Sequence, residues 1–174
     1  MEPSNRISSF QEINGKELLD VFSDIPRKVC LDFEHISYDW LRKNMFNVSI
    51  YSRSRIFYPE FSIILSSYCQ TKNIKHVLAI DAISIGPTNF AYVFDGTYES
   101  FNSISNSSFA IISYLVFDFN FSFCILMARD CVDILAGNEE FLSKFRSLNL
   151  LEINTTDDSE EKQRLIKDYT DFLY

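Results

Sequence analysis

The sequence predicts a single α+β domain over residues 1–174: an antiparallel meander sheet of about four or more strands, packed with N- and C-terminal helices. Three observations predict it. Alternating apolar runs fill the middle of the chain, from Val77 to Arg129. Segments with helical spacing and helix-start residues flank them on both sides. Seventeen Phe against four Gly in 174 residues argue for a packed core rather than a loop-dominated or disordered chain. A chain of this length buries about 70% of the surface its unfolded form exposes, so it needs no covalent or metal staple.

The elements follow in order. Asn14 and Glu17 form a capping box, Leu18, Leu19 and Phe22 line one helical face, and Pro26 is expected to end that helix. Val29 to Phe33 alternates as a short strand. Ser37 can cap a short helix that carries Trp40 and Leu41. Val48, Ile50 and Ile56 mark a strand or a loop. Pro59 and Glu60 open a clearer helix, since proline suits its first position and a carboxylate suits its positive end. Phe61, Ile64, Leu65 and Tyr68 then recur at helical spacing until Lys72 and Asn73 close the segment.

The centre is β. Val77 to Ile85 and Asn89 to Asp95 are separated by Gly86 and Pro87, and Asp95-Gly96 marks a turn. Residues 97–107 are polar, a loop or one helical turn. In Phe109 to Asp118, Leu115 and Phe117 share one face and Tyr114 and Val116 the other. Phe121 to Arg129 returns with Phe121, Phe123, Ile125 and Met127 on one face. Short connections force antiparallel neighbours, and two apolar faces require helices on at least one of them. Asn138 is an N-cap for a helix bearing Phe141, Leu142, Phe145 and Leu148. Asp157 to Ser159 offers caps for a last helix whose stripe is Leu165, Ile166, Tyr169, Phe172 and Leu173. Glu160 and Arg164 stand at a favourable spacing within it.

Net charge is −8, and residues 118–174 hold −6 of it, with 12 acidic and 6 basic side chains. Such a field repels nucleic-acid phosphates and attracts basic partners, and it also keeps a Phe-rich chain in solution. The acids placed to meet a basic partner are Asp118, Asp130, Asp133, Glu139, Glu140, Asp157, Asp158, Glu160 and Glu161. Each also has a local explanation, as a solvated strand end or a helix N-terminal carboxylate. The N-terminus lacks a signal-peptide apolar core and no apolar run is long enough to span a bilayer, so a cytoplasmic protein without membrane contact is expected.

Chemistry is sparsely written. Cys30, Cys69, Cys124 and Cys131 are widely spaced and only His35 and His76 accompany them, which disfavours zinc and leaves reduced structural thiols. The four Gly stand too far apart for a phosphate-cradling loop, and no serine nucleophile elbow occurs. Neither a cofactor nor an enzymatic activity is expected. Cys69, His76 and Asp81 are the one assembly that chemistry could use. Asp81 interrupts an apolar strand, so it must pair, serve a site or face solvent at the sheet edge, the last being expected.

Tyr114 to Asp118, Phe121 to Ala128, and Asp133 to Phe141 form a strand, a turn, a strand, and an Asp-Ile-Leu-Ala-Gly run opening a helix as Asn-Glu-Glu-Phe. This quarter of the chain is similar to bacterial immunity proteins of contact-dependent growth inhibition and other polymorphic toxin systems. The resemblance implies a small, acidic, cytosolic, non-enzymatic protein. Its implied partner is a cognate toxin's C-terminal domain, often a basic nuclease, neutralised by occlusion of the active site. The alternative reading is a small-ligand protein or enzyme with a pocket between sheet and helices, lined by Asp81 or His76.

Overall fold

In a computed structural model the described residues are 10–12, 24–31, 35–52, 59–81, 91–105, 114–127, 132–150 and 160–173. The strands are β1 (Phe10–Glu12), β2 (Asn47–Ser52), β3 (His76–Asp81), β4 (Ala91–Asp95), β5 (Tyr114–Asp118), β6 (Phe123–Met127) and β7 (Val132–Gly137). The helices are α1 (Ile25–Val29), α2 (Tyr38–Asn44), α3 (Pro59–Thr71), α4 (Tyr98–Ser105), α5 (Glu139–Leu150) and α6 (Glu160–Leu173). All seven strands join one antiparallel sheet in the order β1-β4-β3-β5-β6-β7-β2. The α+β domain is as expected, with one change of topology. A plain meander would seat β5 beside β4. Instead β3 lies between them, with Val77 opposite both Phe94 and Asp118. Only β5-β6-β7 is a true meander.

Strand alternation sorts the side chains onto two cores. Tyr114, Val116, Phe123, Ile125, Met127 and Leu135 join Phe61, Tyr68, Phe141 and Phe145 beneath α3 and α5. Leu115, Phe117, Cys124, Leu126 and Ile134 face the other way, towards Val29 of α1, Leu41 of α2 and Tyr169 of α6. The predicted face of the β5–β6 hairpin breaks at Phe121. It adopts a left-handed backbone (φ 51°) in the turn, joins the second core, and stacks on Phe117 at 4.8 Å.

Several local signals act as read. Ser37 Oγ accepts from Trp40 N at 3.4 Å, Asn138 Oδ1 accepts from Phe141 N at 2.9 Å, and Asn73 closes α3 with φ 55°. Phe141, Leu142, Phe145 and Leu148 are all buried. Gly137 is needed where it stands, because a Cβ there would meet Phe141 Cδ1 at 2.5 Å. Thr97 caps α4, accepting from Ser100 N, so the polar stretch is a full helix through Ser105.

Other expectations change. Pro26 is the second residue of α1, where its fixed φ suits a first turn; the helix expected before it, with Leu18, Leu19 and Phe22, lies outside the described residues. Val29 is therefore helical, and Cys30 makes an isolated bridge to Ile36, while Asp32 and Phe33 lie outside the described residues. The Asp-Ile-Leu-Ala-Gly run, expected to open the next helix, is itself part of a full strand, β7, between β6 and β2. The capping box at Asn14 and Glu17, the Phe109 end of the hairpin strand and the Asp157–Ser159 cap lie outside the described residues, as do the side chains of Leu165, Ile166, Phe172 and Leu173.

Candidate interaction surface

Register decides what meets at the sheet's ends. β3 begins at His76, β4 ends at Asp95, β5 ends at Asp118, β6 begins at Phe123, β7 ends at Gly137 and β2 begins at Asn47, all at one end. Five short connections therefore cluster there: Lys72–Lys75, Gly96–Thr97, Phe119–Ser122, Asn138 and Met45–Phe46. Backbone bonds tie them, with Ile74 N donating to Cys69 O at 2.8 Å, Gly96 N to Lys75 O at 2.9 Å and Phe46 N to Leu41 O at 2.9 Å. This end presents two large apolar side chains to solvent, Met45 at 86% and Phe119 at 54% exposure. Met45 is held out by its left-handed backbone after α2 (φ 54°).

The predicted acids divide. Asp118 is buried, a correction to the solvated strand end. Its Oδ1 accepts from Ser122 N at 2.6 Å, and its Oδ2 accepts from Asn120 N at 3.2 Å and Ser122 Oγ at 3.0 Å. A strand-end Asp turned inward satisfies the donors of its own turn, the job of an Asx motif. Asp133 is also buried, and is corrected likewise. It stands mid-strand in register with Tyr51 on one side and Met127 on the other. Neither is presented to a partner.

Glu139 and Glu140 are exposed at the start of α5, beside the apolar pair's end of the sheet. Glu139 pairs with Arg146, and Glu140 with Lys72 at 2.6 Å. Asp130, Asp157 and Asp158 lie outside the described residues, and Glu160 and Glu161 are in α6 with side chains outside them. On the described surface nine exposed or half-buried carboxylates face ten Lys and Arg, so the net −8 is carried mostly by residues beyond it and by buried Asp118 and Asp133.

The Cys-His-Asp assembly is rearranged. His76 Nδ1 lies 3.3 Å from Asp95 Oδ1, its cross-strand neighbour, while Asp81 sits at the far end of β3. β3 is an interior strand, so Asp81 is at a strand end and not at a sheet edge; its side chain is outside the described residues. Cys69, His76 and Asp95 do line one open cleft of about 480 Å³. Burial, followed by the charge of Asp118, pushes the Cys69 thiol from 9.0 up to about 12, which suppresses the thiolate a nucleophile needs. Burial pushes Cys124 well above its usual value too, with Cys30 adding to it. Among the described residues the cysteines are free thiols, and no group of three or more His, Cys, Asp or Glu could hold a metal ion.

Sequence reasoning missed a second cleft. Trp40 of α2 packs edge-on to Phe46 at 5.5 Å and to Phe121 at 5.8 Å, and the space between this cluster and α1 is a cavity of about 460 Å³. Residues 25–29 and 37–46 are near in sequence, but Phe121 is brought to them from the β5–β6 turn, so no local motif announces the cleft. No described helix is long and apolar enough to cross a membrane. Compared with protein-family models, with curated proteins and with solved structures, the chain matches none.

Proposed function

We propose that this chain is a non-enzymatic immunity protein of the cytoplasm, which neutralises a cognate toxin domain by a stoichiometric complex over the toxin's active site. The observation that carries the reading is that exposed Met45, Phe119, Glu139 and Glu140 all lie at one end of the sheet. Apolar anchors ringed by charge are the usual make-up of a protein interface. The two glutamates are fixed by a helix that is capped by Asn138 and anchored by Phe141 and Phe145. Their present ion pairs are exposed, worth about 0–1 kcal/mol each, so basic side chains of a partner can take the place of Lys72 and Arg146. A nuclease-type toxin supplies such side chains where it holds phosphate.

The test starts with the gene immediately upstream. Its C-terminal domain is expressed in bacteria with and without this protein, and growth and complex formation are measured. Relief of growth arrest with a one-to-one complex is expected. Reversing Glu139 and Glu140 to Lys slows association and flattens its salt dependence, and Met45→Asp with Phe119→Asp raises the off-rate. An upstream gene without a toxin domain, or rescue without a complex, overturns the reading. One observation favours the alternative of a ligand site under the helices: buried Asp133 between Tyr51 and Met127 places a carboxylate inside the aromatic core.

A further inference from the structure

The cleft beside Trp40 carries an inference independent of toxin binding. Its floor is apolar, made by Ile25 and Val29 of α1, Trp40 of α2 and Phe121 of the β5–β6 turn. These walls are set before any ligand arrives. Val29 is buried, Phe121 is stacked on Phe117, and Trp40 is held edge-on by two Phe rings. Preformed walls reduce the ordering cost of binding. A volume of about 460 Å³ lies within the range of metabolite and cofactor pockets.

The rim sets the ligand's charge. Lys28 and Lys43 both line the opening and both are exposed, against the one carboxylate, Asp39, that lines it among the described residues. Arg27 and Arg42 precede them in the last turns of α1 and α2. Basic residues there also answer their helix dipoles, but that role does not require both helices to point one lysine each at the same cavity. In a chain of net charge −8 this rim is locally inverted. A cationic ligand would meet two ammonium groups, and a neutral one would leave two ammonium groups against one carboxylate.

We propose that this cleft binds an apolar carboxylate of metabolite size, its hydrocarbon body against Trp40 and Phe121 and its carboxylate between Lys28 and Lys43. Trp40 is the chain's single tryptophan, so intrinsic fluorescence reports from the cleft itself.

The experiment titrates the full-length protein with decanoate, decanol and decylamine, all below their aggregation thresholds, and follows Trp40 emission. Decanoate gives a saturable change and binds roughly three- to tenfold tighter than decanol, the worth of one or two exposed ion pairs. Decylamine binds weakest. Lys28→Glu with Lys43→Glu inverts the order of decanoate and decylamine, and because both side chains are exposed this variant keeps its fold, checked by circular dichroism. Asp39→Asn tightens decanoate. Equal affinity for the three compounds, no saturable change, or an order unmoved by the double reversal overturns the proposal. The readout contains no toxin, so this result and the growth-rescue result stand or fall separately.

Discussion

The two faces of the sheet are built differently. Among the described residues, the buried set beneath α3, α4 and α5 holds nine aromatics, including Phe61, Tyr68, Phe123, Phe141 and Phe145. They interlock, with Phe141 stacked on Phe123 at 5.0 Å and edge-on to Tyr68 and Phe145 at the same distance. The opposite buried set, among the described residues, holds two, Phe117 and Tyr169; the rest of it is aliphatic or small, and its helices α1 and α2 are short. Four further aromatics of that side, Tyr38, Trp40, Phe46 and Phe121, are only half-buried at its margin. Aromatic side chains spent in a core stabilise; the same side chains left half-wet around a cavity are available for binding. The difference teaches where to look for stability and where for ligands.

The largest effect expected is on the aromatic face. Phe141→Ala opens a cavity among the rings of Tyr68, Phe123 and Phe145 and costs about 3–5 kcal/mol in urea unfolding. Trp40→Ala, half-buried at the other face, costs well under that while abolishing ligand binding in the cleft. Equal losses at the two sites would break the comparison. Next comes alkaline pH, which acts on both faces. Tyr68 is pushed from 10.0 to about 12, by burial first and then by the charges of Glu140, Asp118 and Cys69, and Cys69 is pushed to about 12 as well. Between about pH 9 and 12 the unfolded chain loses these protons while the folded chain keeps them. The unfolded state then binds fewer protons, so stability falls as pH rises through that window and is flat below it. Cys69→Ala on the aromatic face and Cys124→Ala on the aliphatic face each remove part of that slope, and the larger reduction identifies the face that resists ionisation more.

How much of this was legible depends on whether a feature is local. α5 was readable in full, since its cap, its acids and its buried stripe lie within eleven residues, from Asn138 to Leu148. The facing of Leu115 and Phe117 against Tyr114 and Val116 was readable for the same reason. Strand order was not. Alternation fixes a face but not a neighbour, and seating β3 between β4 and β5 depends on where α4 returns the chain. Buried Asp118 had a signal, because an Asp followed by Asn120 and Ser122 is an Asx-turn sequence. The expectation that charges at turns are solvated outweighed it. Asp133 had none: its burial follows from β2 closing over β7, and the sequence left β2 open between strand and loop.

Smaller effects probe how the thinner face is fastened. Among the described side chains of α6, Tyr169 is the one in the aliphatic core, and its hydroxyl accepts from Ile36 N at 2.8 Å. Tyr169→Phe keeps the ring's edge-on contact with Tyr38 but leaves a buried N–H without that acceptor, at about 1–3 kcal/mol. Amide exchange at Ile36 quickens if this bond holds α6 to the segment before α2. Unchanged exchange would mean that the ring alone fastens the helix.

The smallest effect is at the Lys72–Glu140 pair, which joins α3 to α5 over the aromatic face. Its side chains are 35% and 48% exposed, so solvent screens it and Lys72→Ala changes stability by less than about 1 kcal/mol. The core beneath holds the two helices together without it. For binding the same change works in the opposite sense. Freeing Glu140 from its internal cation leaves an exposed carboxylate at the helix start, so association with a basic toxin domain speeds up at low salt. A variant of nearly unchanged stability and faster association is the signature of a surface pair that competes with a partner. Slower association after Lys72→Ala would show that Lys72 itself touches the partner, and would move the interface from the start of α5 to the end of α3.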